Sequence, residues 1–209
     1  MILDDDRLTL PIARDLCDHD MWWNPDADGA RLRRKPPRCV VLHTTGGEGS
    51  AQTTYRTLRK RGLSVHFVVD RDGVCWQMAD PMDTTALHAG HANARSVGIE
   101  VTNYLHRRGR PLDPERPRYR DDIHGHTLTL ARCYSAQHAA VLALVDTLCQ
   151  QIEIPRHLPR GSAGQLYTDV MPRAVVRRFE GVMGHFHVDP GKIDPGLDLF
   201  RTLEAAGYA

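Results

Sequence analysis

The chain has 209 residues, of which 41% are hydrophobic and 25% charged, and its 27 basic and 26 acidic side chains leave a formal net charge of +1. That length suits one domain with extensions and is long enough to bury a core without disulfide or metal staples, and the balanced charge argues against a dedicated nucleic-acid binder. No apolar run approaches the roughly 20 residues that span a bilayer. The acidic start Met1-Ile2-Leu3-Asp4-Asp5-Asp6 stands where a signal peptide would be basic and then apolar, so cytoplasmic synthesis without an export signal and no membrane insertion are expected. Five scattered cysteines form no CxxC pair, which favours buried reduced thiols over a disulfide framework or a thiolate zinc site.

Residues 1–37 read as an N-terminal extension, because charges, Asn24-Pro25-Asp26 and Arg33-Arg34-Lys35-Pro36-Pro37 break any periodicity. Met21-Trp22-Trp23 is the expected docking point, and an arm covering a sheet edge or an apolar patch is the simplest role. Cys39-Val40-Val41-Leu42-His43 is an apolar run of buried-strand type. Ser50 predicts the start of a helix over 51–61 and Gly62 its stop. The runs 65–69 and 74–78 around Asp70-Arg71-Asp72-Gly73 predict a hairpin, and Ser96–Val101 a further strand. Residues 105–133 carry three prolines and six arginines between Arg107 and Arg120 and read as an inserted, arginine-rich loop without regular structure. A helix follows at 136–152, with Ser135 as N-cap and Val141, Leu144, Val145, Leu148 and Ile152 on one apolar face. Segment 153–181 is loop-like, and 184–206 predicts a short strand, a Pro/Gly loop and a terminal helix presenting Leu199, Phe200 and Leu203. Interleaved strands and helices make the fold class α/β, and the hairpin makes the sheet mixed.

Three places concentrate histidine near turns: His43, then His88-Ala89-Gly90-His91, then Gly184-His185-Phe186-His187 running into Pro190-Gly191-Lys192-Ile193-Asp194-Pro195-Gly196. In the third, a doubly bent loop can bring His185 and Asp194 to one point. Two imidazoles and a carboxylate make a three-ligand zinc site with an open position for water. His187 is an alternative ligand, since alternate residues of a strand share a face. Glu100 ends an apolar strand and is either solvent-facing or a pocketed carboxyl fit for general-base work. Lys192, one of only three lysines, is placed to stabilise a developing oxyanion.

The blocks Val40–Thr45, Ser64–Gly73, His88-Ala89-Gly90, Ser96–Glu100, Gly184-His185 and Pro190–Gly196 together resemble the type 2 N-acetylmuramoyl-L-alanine amidases over residues 38–206. The resemblance implies a single α/β domain, a central mixed β-sheet flanked by helices with a zinc groove on one face. It implies a zinc ion (Zn2+) held by His43, His185 and Asp194, Glu100 as the base that activates water, and Lys192 as the stabiliser of the tetrahedral intermediate. The bond cut would be the amide between N-acetylmuramic acid and L-alanine in peptidoglycan. Relatives with a tyrosine before the histidine of the second block have Val65 here, which puts more weight on Glu100. The amidase domain is expected at 38–209. The extension and the loop 105–133 match no motif; for the loop a solvated surface is favoured over contact with stem-peptide carboxylates.

The expected role is an antimicrobial, endolysin-type wall hydrolase. A cytoplasmic anhydro-muropeptide recycling amidase and a non-catalytic peptidoglycan-binding module are the alternatives. Peptidoglycan or muropeptide is the expected partner, nucleic acid is not, and a monomer is expected. Action would follow release or delivery to the periplasm or cell wall.

Overall fold

The structure, a computed structural model, describes residues 2–3, 6–7, 13–14, 23, 31–47, 49–104 and 113–209. In chain order the short strands β1 (Ile2–Leu3), β2 (Asp6–Arg7), β3 (Ala13–Arg14) and β4 (Arg31–Leu32) precede β5 (Cys39–Thr44) and helix α1 (Ala51–Lys60). Then come β6 (Phe67–Val69), β7 (Cys75–Gln77), β8 (Thr84–Thr85), a 3₁₀ turn over Gly90–Arg95 and β9 (Ser96–Val101). The second half holds β10 (Arg118–Ile123), β11 (His126–Ala131), α2 (Ser135–Gln151), α3 (Arg173–Val176), β12 (Gly181–Gly184), α4 (His185–Val188) and α5 (Asp198–Ala205).

The central sheet has the order β12-β5-β9-β6-β7-β3 and is parallel except where β6 and β7 form the hairpin. The hairpin closes as its Asp-Gly predicts: Gly73 takes φ +80° and donates its N–H to the Asp70 carbonyl at 3.0 Å. Ser50 caps α1 by accepting the Thr53 N–H, and Gly62, at φ +65°, ends it. Strand alternation splits the core. Val40, Leu42, Val97, Ile99 and Val101 face α2 and α5, where Leu144, Leu148, Phe200 and Leu203 cover them. Cys39 and Val41 face the other way, against Met171, Val176 and Met183.

A third cluster lies under α1. Trp23 is fully buried there at 4.5 Å from the Tyr55 ring, and its indole N–H donates to the Val65 carbonyl at 2.7 Å. β3 adds a parallel strand beside β7 at the sheet edge, so the described residues Ala13, Arg14 and Trp23 reach a sheet edge and an apolar patch. Met21 and Trp22 lie outside the described residues.

Two expectations need correction. Residues 118–131 are not loop: β10 and β11 form a six-pair antiparallel hairpin turning at His124-Gly125. The prolines at 111, 114 and 117 all precede it, so they limit the strand's start rather than forbid it. The late strand is Gly181–Gly184, earlier than the short strand expected within 184–206, and residues 185–188 form a helical turn. Gly181 is there for space: a Cβ at that position would lie 2.3 Å from the His157 carbonyl oxygen. Helix α2 begins at Ser135 itself, and Tyr134 donates its N–H to the Gln137 side-chain oxygen.

Cys39, Cys75, Cys133 and Cys149 are buried and unpaired. Burial pushes the Cys75 and Cys133 thiols up to about 12, which leaves them unreactive. Among the described residues no helix is long and apolar enough to cross a membrane.

Candidate metal centre

The carboxyl ends of the parallel strands β12, β5 and β9 lie side by side, the position where open α/β sheets leave room for ligands. His43 is near the end of β5, and Glu100 is its register partner on β9, so both project from the face opposite α2. His185 begins α4 directly after β12. Asp194 arrives on the Pro/Gly loop. There the Asp189 carboxylate accepts the Gly191 N–H at 2.8 Å, and the Asp194 carbonyl accepts the Phe186 N–H at 3.1 Å.

The structure brings His43, His185 and Asp194 together, with one ligand atom from each within 4.8 Å of the others. The Asp194 Oδ2 is 3.1 Å from His185 Nδ1 and 3.5 Å from His43 Nδ1. Two imidazole nitrogens and one carboxylate oxygen, converging on a groove, are a donor set that catalytic zinc takes. Burial lowers the His43 imidazole to about 4, which keeps it in the neutral, ligating form. Burial alone would raise the Asp194 carboxyl, but the His185 imidazole, hydrogen-bonded to it, and the neighbouring His43 ring hold it well below the usual carboxylate range.

His187 does not join them. It is buried, its Nδ1 accepts the Gly184 N–H at 2.9 Å and its Nε2 reaches the Tyr167 carbonyl at 2.9 Å. The helical turn is the reason: on a strand His185 and His187 would share a face, but here they diverge.

A groove of about 550 Å³ lies over the centre. His43, His88, Glu100, His185 and Asp194 line it, with Lys192 and Ile193 on one side and Thr54, Leu58 and Arg61 of the α1 region on the other. Glu100 Oε2 is shut off from solvent and has no hydrogen-bond partner among the described residues. Burial and the neighbouring Asp194 charge push the Glu100 carboxyl up to about 8, against the opposing pull of Lys192 and Arg61. A carboxyl poised near neutrality beside a donor triad is equipped to exchange protons with a water. None of the described residues of the hairpin β10–β11 lines the groove.

The family model of N-acetylmuramoyl-L-alanine amidase matches residues 33–197. The chain belongs to the type 2 N-acetylmuramoyl-L-alanine amidase family. Its fold is shared with an endolysin amidase, LysCS from Clostridium intestinale URNW, at 17% identity and a TM-score of 0.58 over 95% of this chain and 96% of that one. It is shared also with AmpD, at 19% identity and a TM-score of 0.51 over 97% and 99% of the two chains. A third is the amidase AmiD from E. coli, solved with anhydro-N-acetylmuramic acid-L-Ala-D-gamma-Glu-L-Lys, at 21% identity and a TM-score of 0.53 over 83% of this chain and 59% of AmiD. No curated protein sequence matches the chain. The mixed sheet with flanking helices is the architecture expected of this amidase family.

Proposed function

We propose that the groove hydrolyses the amide joining the lactyl group of N-acetylmuramic acid to the L-alanine of a peptidoglycan stem peptide, and that the amidase unit spans 38–209. The observation that carries this reading is the donor triad His43, His185 and Asp194 beside Glu100, whose Oε2 is buried without a hydrogen-bond partner among the described residues. Family membership supports the bond chosen. A zinc ion held by the triad would supply a Lewis acid and lower the pKa of water toward about 7.

The chain's own residues divide the remaining work. Asp194 lends negative charge to the triad, and the two imidazoles complete the donor set. Glu100 takes the proton of the attacking water and passes it to the departing amine of L-alanine. Lys192 lines the same groove, and its cationic side chain stabilises the oxyanion that develops as the carbonyl is attacked. The groove supplies the room for glycan and peptide on either side of the scissile amide.

The role we propose is that of an endolysin-type enzyme acting on the cell wall. The amidase of shared fold described as an endolysin supports it, while the AmiD complex supports a muropeptide ligand. A peptidoglycan-binding module without catalysis is disfavoured, because every ligand position of the triad is filled.

Metal analysis of the purified protein together with amide cleavage on intact sacculi and on soluble anhydro-muropeptides tests the reading. The expected outcome is one zinc per chain, release of stem peptides with a free L-alanine amine, and activity on intact sacculi. Bound zinc without amide cleavage refutes the enzyme; cleavage restricted to soluble anhydro-muropeptides refutes the wall-lytic role. His185→Ala and Asp194→Ala should lose zinc and activity together.

A further inference from the structure

His88 belongs to a histidine cluster that the proposed chemistry leaves without a task. Its ring sits edge-on to His43 at a centroid separation of 5.1 Å, and His88 Nδ1 is 2.9 Å from His43 Nε2. On its far side His88 Nε2 is 3.2 Å from Ser96 Oγ, and the Ser96 hydroxyl donates to the Ala92 carbonyl at 2.9 Å.

This chain of contacts has one direction. A carbonyl oxygen only accepts, so the single Ser96 hydroxyl proton is committed to Ala92. Ser96 Oγ therefore accepts, and the proton of the neutral His88 ring lies on Nε2. His88 Nδ1 then presents a lone pair, and His43 Nε2–H donates to it. The remaining nitrogen of His43, Nδ1, is left bare, and it is this atom that faces Asp194 Oδ2 at 3.5 Å.

The surroundings are built to hold His88 in place. The Asn93 side-chain oxygen accepts the backbone N–H groups of His88 at 3.1 Å and Ala89 at 2.6 Å. The imidazole lies flat on Gly98 of β9, where a Cβ would come within 2.7 Å of the ring. Glycine is thus required at 98 for the ring to rest there.

We propose that His88 is a positioning residue: the relay Ala92–Ser96–His88 locks His43 in the Nε2–H tautomer, so that Nδ1 is its metal-binding atom. The inference rests on the zinc-binding reading of His43, His185 and Asp194. Outer partners of this kind fix the ring orientation and tautomer of a ligating imidazole, and their loss typically costs ~10–100-fold in metal affinity.

Two measurements test it. In the metal-free wild-type protein, ¹⁵N-resolved imidazole spectra should show both His43 and His88 protonated on Nε2 and bare on Nδ1. A His43 ring protonated on Nδ1 overturns the inference whatever the metal does. Zinc affinity, measured by chelator competition, should fall about 10–100-fold in His88→Ala. His88→Asn, whose side-chain oxygen replaces Nδ1 as acceptor, should recover most of that loss, and Ser96→Ala should show a smaller one. His88→Ala binding zinc as tightly as wild type, while His185→Ala does not, overturns this inference and leaves the triad standing. Wild-type protein that binds no zinc overturns the triad and the relay together.

Discussion

Glu100 is a carboxyl whose surroundings oppose its charge, and that has a stability consequence separable from catalysis. In the metal-free protein its folded-state value is about 8 against an ordinary 4.5. The neutral acid is therefore the form the fold prefers. Its contribution is fully present below pH 4.5, is withdrawn as the pH climbs toward 8, and stays lost above that. Glu100→Gln removes the penalty. The metal-free variant should melt higher than wild type at pH 9, by an amount on the order of a few kcal/mol, with the gap narrowing toward pH 4. The same substitution should lower amide cleavage by about 10²–10⁴-fold while leaving zinc content unchanged. Unchanged cleavage would remove Glu100 from the role of base. The residue types at this end of the sheet were readable in the chain, but whether Glu100 faced solvent or a pocket was not. That depended on Asp194, 94 positions later in the sequence, being folded back beside it.

At the scale of elements, the hairpin β10–β11 is the main departure from what the chain predicts. It lies away from the groove and instead supports the loop that carries Asp194. Asp121 Oδ2 accepts the Leu197 N–H at 2.9 Å, and the His124 ring sits between the carbonyl oxygens of Phe186 at 2.9 Å and Pro190 at 3.1 Å. Gly196 closes the loop at φ +74°, where a Cβ would meet the Tyr119 hydroxyl at 2.6 Å and Leu130 at 2.9 Å. Gly196→Ala combines left-handed backbone strain with that collision. It should destabilise by about 1–3 kcal/mol and weaken zinc binding through displacement of Asp194. A variant with wild-type melting temperature and zinc affinity would show that the hairpin does not brace the loop. Arginine content and proline spacing marked this stretch as surface. The support it gives was hidden, because Tyr119, Asp121 and Leu130 find their partners 66 or more residues further along the chain.

Over the whole molecule, buried neutral histidines set the acid limit. Burial lowers His66 to about 3 and His187 to about 4, from an ordinary 6.5. His66 spends both nitrogens on backbone, accepting the Gly98 N–H and bonding the Thr84 carbonyl. Both rings stay neutral in the folded chain but take up protons in the unfolded one below pH 6.5. Their stability contribution is present above that pH and is lost as the pH falls toward 3 to 4. Each adds up to about 1.4 kcal/mol per pH unit across its window. Denaturant melts between pH 7 and pH 4 should show that slope, and His66→Gln should reduce it; a pH-independent midpoint would contradict the assignment.

The first 37 residues belong to the same scale. Trp23 fills the cluster under α1, and Arg33 donates to the Thr84, Ala94 and Ser96 carbonyls at 3.1, 3.0 and 2.8 Å. Trp23→Ala should cost about 3–5 kcal/mol. A melting temperature equal to wild type would return the arm to a loosely attached extension.

Sequence alone determined the α/β class, the strands carrying His43 and Glu100, the capped helix α1 and the family itself. These rest on local signals: apolar runs, a capping serine, a turn glycine and short motifs in fixed order. Only the tertiary structure decided that His185 and not His187 reaches the centre, that the arginine-rich stretch is a brace, and that His88 stands behind His43. Each of those depends on where a side chain points after distant segments meet. A helical turn rotates neighbours by about 100° where a strand would alternate them, and no single-residue preference encodes which contact a folded-back loop will make.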